Sequence, residues 1–153
     1  LLLYATFEAF AGEAGETGET GETVATALLI LVTMVQAGFG TQVRGHIETA
    51  LNSGVARDAA LATVGRLDYL HRDLAFAVLI GAAVLTVWLM SRRSLLIRWS
   101  FVVLALSIAQ IALGVVMAYI SLLPAAQVGH LTLASLLLGA ETVLWLMSRR
   151  QSV

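Results

Sequence analysis

The sequence predicts an all-α integral membrane protein, a bundle of four transmembrane helices built from two repeated helix pairs. Of its 153 residues, 59% are hydrophobic and 12% are charged, whereas a soluble domain carries about twice that fraction of charge. Helices satisfy their own backbone groups in lipid, and the alternating blocks typical of a transmembrane barrel do not occur in the sequence. Four stretches reach the length of about 20 apolar residues that a helix needs to cross a bilayer, namely 24–43, 74–90, 99–123 and 125–147.

The residues outside these stretches divide the chain further. Residues 1–10 are expected to be the end of a preceding apolar helix. Residues 11–23, AGEAGETGETGET, are expected to be a flexible acidic linker because they contain no large apolar side chain to bury. Residues 24–150 form the predicted membrane domain, and residues 151–153 a cytoplasmic tail. The absence of cysteine excludes disulfides and thiolate ligands, and the net charge of -1 argues against a nucleic-acid partner.

The second and fourth stretches repeat one another. Each runs from a histidine, His71 or His130, through apolar residues and a glycine to the hexapeptide WLMSRR, at residues 88–93 and 145–150. The two histidines therefore occupy equivalent positions in two copies of one unit.

The first and third stretches carry a second sign of duplication. Gln36 and Gly40 are four residues apart and so share one face of a helix, and the same is true of Gln110 and Gly114. The repeated unit is therefore a helix–loop–helix hairpin. Repeated hairpins in membranes commonly place a binding site at the interface between the copies.

The placement of arginines predicts the orientation of the bundle. Compact arginine-rich segments follow the second and fourth stretches, at 91–98 and at the C-terminus, and such segments lie on the cytoplasmic side. The long connection at 44–73, where acidic residues balance the arginines, then lies outside. We therefore expect a multi-pass protein of a bacterial or archaeal cytoplasmic membrane, with a cytoplasmic C-terminus and both repeat histidines near the outer face.

The two repeat histidines, His71 and His130, predict a heme site. One imidazole from each copy would supply the two axial ligands of a single heme iron, so we expect heme b as the cofactor and these two residues as the metal ligands. The other ring nitrogen of a metal-bound histidine normally donates a hydrogen bond, and Gln36 and Gln110 are the candidate partners. The alternative is that both histidines are neutral and hydrogen-bonded between helices, with the glutamines serving packing alone.

Three arginines are candidates for binding the heme propionates, which are anions that need cationic partners near the membrane surface. Arg72 directly follows His71, and Arg44 and Arg66 flank the outer ends of the membrane segments. The alternative is that these arginines pair with the acidic residues near them in the outer connection.

Two further ionisable residues stand apart from this set. His46 is expected to be a solvated side chain of the outer loop, and the alternative is a role in a quinone or substrate pocket. Glu141 lies eleven residues after His130, on the same face of the fourth helix. We expect it to pair with Arg149 or Arg150, and the alternative is that it carries protons.

Taken in order, these residues resemble the heme A synthase family. The resemblance rests on QAGFGTQVR at 36–44, HR at 71–72, QIALG at 110–114, and Pro124 with His130. It covers nearly everything after the linker. The chain is most similar to one four-helix half of such a protein, either the C-terminal half or a half-sized member.

The resemblance implies oxidation of a methyl group of heme O to a formyl group, which makes heme A for cytochrome oxidase. It implies that His71 and His130 are the paired heme ligands. The family's catalytic glutamate lies just outside the first helix of the substrate-binding half. Here Gly45 follows Arg44, so Glu48 is the nearest carboxylate and the catalytic candidate. The run GTQVR and the end of the chain resemble the half that holds an electron-transfer heme.

Three hypotheses of function follow. The first is a heme A synthase-like oxidoreductase that acts within a larger chain or an oligomer, with heme O and heme A as substrate and product. The second is a cytochrome b-type electron-transfer subunit of a membrane respiratory complex. The third is a heme-free assembly or structural subunit. The expected partners are the lipid bilayer, heme, a quinone or other electron donor, and the other subunits of an oligomer or membrane complex.

Overall fold

Four long helices make up most of the structure. The structure is a computed structural model that describes residues 18–120 and 122–151. The four long helices are each apolar enough to cross a membrane, and no strand occurs in the described part of the chain. The predicted all-α bundle of four transmembrane helices is therefore confirmed. The helices are α1 (Gly18–Asn52), α2 (Arg57–Ala60), a 3-10 helix (Leu61–Val64), α3 (Arg66–Ser91), α4 (Ile97–Tyr119) and α5 (Pro124–Gln151).

The long helices pack in a closed ring. Helix α1 contacts α3 and α5, and α4 contacts the same two helices. Connections are short, so consecutive helices run antiparallel. The fully buried centre contains Leu89, Leu96, Val103 and Leu144. Large apolar side chains on the outside, such as Phe76, remain exposed, as expected for surfaces that face lipid.

The N-terminal boundary of the membrane domain differs from the prediction. Helix α1 begins at Gly18, so residues 18–23 of the expected flexible linker are helical. Glu22 is 6% exposed, and the Ser94 hydroxyl donates a hydrogen bond to it at 3.2 Å. Composition predicted a linker, but contacts with the α3–α4 connection extend the helix. The expected helix end at 1–10, residues 11–17 of the expected linker and residues 152–153 of the expected tail lie outside the described residues.

The connection predicted to lie outside is also shorter than the predicted loop at 44–73. Helix α1 continues to Asn52 and α3 starts at Arg66, so only residues 53–65 connect them. The end of α1 is held because Ala50 packs against Ala60 and Leu122 in a second apolar cluster. Most of the side chains expected in a loop before His71 consequently lie on helices, and residues 53–56 and 65 are the ones that do not.

Candidate functional site

A cleft at one end of the bundle brings together residues from both copies of the repeat. Its cavity volume is about 200 Å³, which is below the range of about 300–1,000 Å³ that is usual for small-molecule and cofactor pockets. Most of the wall is apolar, with contributions from Phe76, Ile111 and Val115. The polar side chains that line it are Gln36, Asp68, His71, Arg72, Gln110, Tyr119 and His130.

His71 is held against α1 by one of its ring nitrogens. Its Nδ1 lies 3.2 Å from the carbonyl oxygen of Gln36. Because a carbonyl oxygen only accepts, Nδ1 donates and the neutral ring carries its lone pair on Nε2. The Gln36 amide nitrogen also approaches Nδ1, at 3.3 Å. The half-buried ring therefore presents Nε2 as its coordinating atom, which is the arrangement a metal-bound histidine requires.

Gly40 is needed for this approach. A Cβ at this position would lie 2.9 Å from Cε1 of His71, closer than carbon atoms pack. The glycine predicted to share a helix face with Gln36 thus lets the histidine ring lie directly on the backbone of α1.

His130 makes the equivalent contact in the second copy. Its Nε2 lies 3.1 Å from the side-chain nitrogen of Gln110, and a Cβ on Gly114 would be 3.5 Å from its Cε1. Its Nδ1 is buried, and no described residue provides a hydrogen-bond partner for it. Because the amide nitrogen of Gln110 only donates, Nε2 accepts and Nδ1 carries the proton of the neutral ring, so this nitrogen is a hydrogen-bond donor without an acceptor among the described residues.

Each glutamine contacts its histidine, but the predicted donation by the histidine is found only at His71, because the Nε2 of His130 accepts from the Gln110 amide nitrogen. In both copies one ring nitrogen contacts a glutamine from the preceding helix, and the other ring nitrogen has no contact with that glutamine. The copies differ in detail, because His71 is held through Nδ1 and His130 through Nε2. Coordination of iron by these two residues stays a prediction.

The three predicted propionate partners occupy different environments. Arg72 lines the cleft, where it forms an ion pair of 2.7 Å with Asp68 and donates a hydrogen bond of 3.1 Å to the Tyr119 hydroxyl. The alternative of pairing with a nearby acidic residue thus holds for Arg72. Arg44 and Arg66 are exposed and are not part of the cleft wall.

Sequence reasoning did not select Asp68 or Tyr119 for the site. Asp68 lies four residues before Arg72, and this spacing on a helix is a recognisable signal for an ion pair. Tyr119 offers no such signal, because its contact with Arg72 joins the end of α4 to α3.

His46 and Glu48 lie outside the cleft. Both were expected in a loop, but both are on the extended α1 and are exposed. The Nδ1 of His46 is 2.9 Å from the carbonyl oxygen of Gln42. The predicted solvated character of His46 is confirmed, whereas its predicted loop conformation is wrong because α1 continues past it.

Glu141 does not form the expected ion pair with Arg149 or Arg150. It is 1% exposed and accepts a hydrogen bond of 2.8 Å from the Thr33 hydroxyl. The Arg149 guanidinium lies instead over the Trp145 ring, 5.1 Å from its centroid. The Glu141 carboxyl points into the bundle, whereas the two arginines lie at the arginine-rich end of the bundle. The predicted ion pair is therefore wrong.

The described residues contain no group of three or more histidine or acidic side chains that could hold a bare metal ion. Two histidines in one cleft are nevertheless sufficient for an iron whose four remaining ligands come from a porphyrin. The donor set therefore fits a heme better than an isolated metal.

Comparisons with protein-family models, with curated proteins and with solved structures found no match for the chain.

Proposed function

We propose that the chain binds one heme in the cleft, with His71 and His130 as axial ligands. The observation that carries this proposal is the duplicated arrangement of the two histidines. The His71 ring presents the lone pair of Nε2. The His130 ring would present that of Nδ1 once the Gln110 amide turns so that its oxygen, which has no partner among the described residues, accepts from Nε2. Both rings line the same apolar cleft.

The cleft walls suit the rest of a heme group. Apolar side chains would cover the faces of the ring, and the cationic Arg72 lies beside the histidines to receive a propionate. Its ion pair with Asp68 holds the guanidinium in place. Such an arrangement orients the group and excludes water from its apolar part.

The sequence resemblance leads us to propose a heme A synthase-like role in the conversion of heme O to heme A. A heme held between two histidines supplies one-electron transfer. The residues of this chain would position that group and set its surroundings. The proposed unit works within a larger chain or an oligomer, because the repeat described here supplies one cleft.

A specific observation favours a second candidate, an electron-transfer subunit of the cytochrome b type. Glu48, the catalytic candidate, is exposed and outside the cleft. Among the described residues, Asp68 is the one carboxylate of the cleft wall, and its ion pair with Arg72 occupies it. A cleft without an available carboxylate suits electron transfer better than proton abstraction.

An absorption spectrum of the purified protein tests heme binding. We expect the signal of a low-spin six-coordinate heme, which is lost in both His71→Ala and His130→Ala. His46→Ala is the matched control and should keep the spectrum, because His46 is exposed on α1 away from the cleft. An unchanged spectrum in both cleft variants would exclude the assigned ligands, and a heme-free wild-type protein that cannot be reconstituted would favour a structural subunit.

Heme extraction followed by mass analysis separates the two heme-based candidates. Membranes containing the full-length protein would be supplied in air with heme O and a reduced quinone, so that dioxygen serves as the oxidant. Formation of the formyl product supports the synthase, whereas oxidation of the quinol without any formyl product supports the electron-transfer subunit.

A further inference from the structure

One carboxyl group lies deep in the bundle and has no part in the proposed heme site. Glu141 on α5 is 1% exposed and is not a residue of the cleft wall. Its Oε1 accepts the hydrogen bond from the Thr33 hydroxyl on α1. Its Oε2 is also buried, and no partner for it exists among the described residues.

The surroundings of Glu141 determine what can neutralise the charge of its carboxyl group. An ionised carboxylate inside a membrane is costly unless a cation accompanies it, and no ion pair involves Glu141 in the described part of the chain. A calcium ion takes about six to eight oxygen ligands, and there is no cluster of acidic or histidine side chains there to supply them. A proton on Oε2 neutralises the carboxylate without any metal ligands, and the resulting O–H group needs only one acceptor, such as a water molecule.

We infer that Glu141 is a proton-binding site shared by α1 and α5, a neutral carboxylic acid that exchanges its proton with water. Thr33 is its positioning residue. Because the threonine hydroxyl donates to Oε1, Oε1 acts as the carbonyl oxygen and Oε2 carries the proton.

In this proposal the proton exchanges through the cleft. Gln36, which lines the cleft, comes three residues after Thr33 on α1. This separation is about 4.5 Å along a helix. Water that enters the cleft therefore comes within about one helical turn of the Thr33–Glu141 pair.

Infrared spectroscopy of the purified full chain in H2O and D2O tests the inference. We expect a C=O stretching band of a protonated carboxylic acid that disappears in Glu141→Gln and moves to lower frequency in D2O. Glu22→Gln, which changes the other buried carboxyl side chain, should leave this band in place. Glu141→Asp, which keeps a carboxyl group, should retain a displaced band and so assigns it even if the glutamine variant does not fold.

Thr33→Val provides a readout of the hydrogen bond itself. Loss of the donor to Oε1 should raise the frequency of the band without removing it. Thr26→Val is the matched control, because Thr26 is also a buried threonine of α1 whose hydroxyl faces α5, 3.4 Å from the Ser148 hydroxyl.

Two results would overturn the inference. Identical spectra of the wild type and Glu141→Gln in the carboxylic-acid region would mean that Glu141 is ionised. A band that stays unshifted in D2O would mean that the acid is sealed and does not exchange. Both results are independent of the heme proposal, because the same band is expected in heme-free protein.

Discussion

The close approach of His71 to α1 allows a sharp test of the site through Gly40→Ala. The new Cβ would lie 2.9 Å from Cε1 of His71, whereas carbon atoms in favourable contact are about 3.5–4.0 Å apart. The ring would therefore retreat by about 0.6 Å or more. The hydrogen bond from its Nδ1 to the Gln36 carbonyl, already 3.2 Å long, would exceed normal hydrogen-bonding distance.

The second copy of the repeat supplies the control, Gly114→Ala. There the new Cβ would lie 3.5 Å from Cε1 of His130, which is an ordinary contact. Replacing a helical glycine by alanine favours the helix by about 1 kcal/mol in either case, and overpacking costs about 1–3 kcal/mol. We therefore expect the free energy of unfolding of Gly40→Ala to be about 1–3 kcal/mol below that of Gly114→Ala.

The assay compares the two variants in detergent micelles, with unfolding driven by dodecyl sulfate and followed by tryptophan fluorescence. A heme titration of the same preparations should show weaker binding by Gly40→Ala alone, because only that variant displaces a proposed ligand. Equal unfolding free energies together with equal heme affinities would refute the reasoning, since His71 would then not be held against the backbone of α1.

Three further outcomes are expected. Leu144→Ala should destabilise the bundle by about 2–5 kcal/mol, because Leu144 is 0% exposed. Leu146 is 47% exposed, so Leu146→Ala should change the free energy of unfolding by less than about 0.5 kcal/mol. Gly65→Ala should cost about 1–3 kcal/mol in the same unfolding assay, since φ 65° and ψ -135° are adopted almost only by glycine. Arg72→Gln should release heme faster than Arg66→Gln in a transfer assay to apomyoglobin, because only Arg72 lines the cleft.

Each of these outcomes has a clear contrary result. Equal destabilisation by the two leucine substitutions would mean that the outside of the bundle is packed against another protein surface. An unperturbed glycine variant would mean that the start of α3 tolerates another backbone conformation. Equal rates of heme release from the two arginine variants would remove Arg72 from the proposed propionate site.

Much of the architecture was predictable because membrane helices leave a strong local pattern. Each needs about 20 apolar residues, and three of the four predicted stretches fall within long helices, whereas 99–123 extends past the end of α4 at Tyr119. The ends were less predictable. Residues 18–23 and 44–52 are polar enough to be predicted as a linker and a loop, yet they are helical because contacts with the α3–α4 connection and with Leu122 stabilise them.

The candidate site, like the fold, was predictable from the sequence only in part. The spacing of Gln36 and Gly40 placed them on one helix face, and the repeat matched His71 to His130. Spacing could not show which helix would bring a hydroxyl to Glu141. The sequence predicted that Glu141 pairs with arginines on its own helix, α5, whereas the neighbouring helix α1 supplies Thr33.

The sequence by itself determined that this chain is a membrane bundle with a duplicated glutamine–glycine–histidine pattern, because hydropathy and helical periodicity are local properties. Only the tertiary structure decided that both histidines line one cleft, that Gly40 gives His71 its place on α1, and that Glu141 faces Thr33. The physical reason is that a helix fixes which residues share its face, while the packing of neighbouring helices fixes which faces meet.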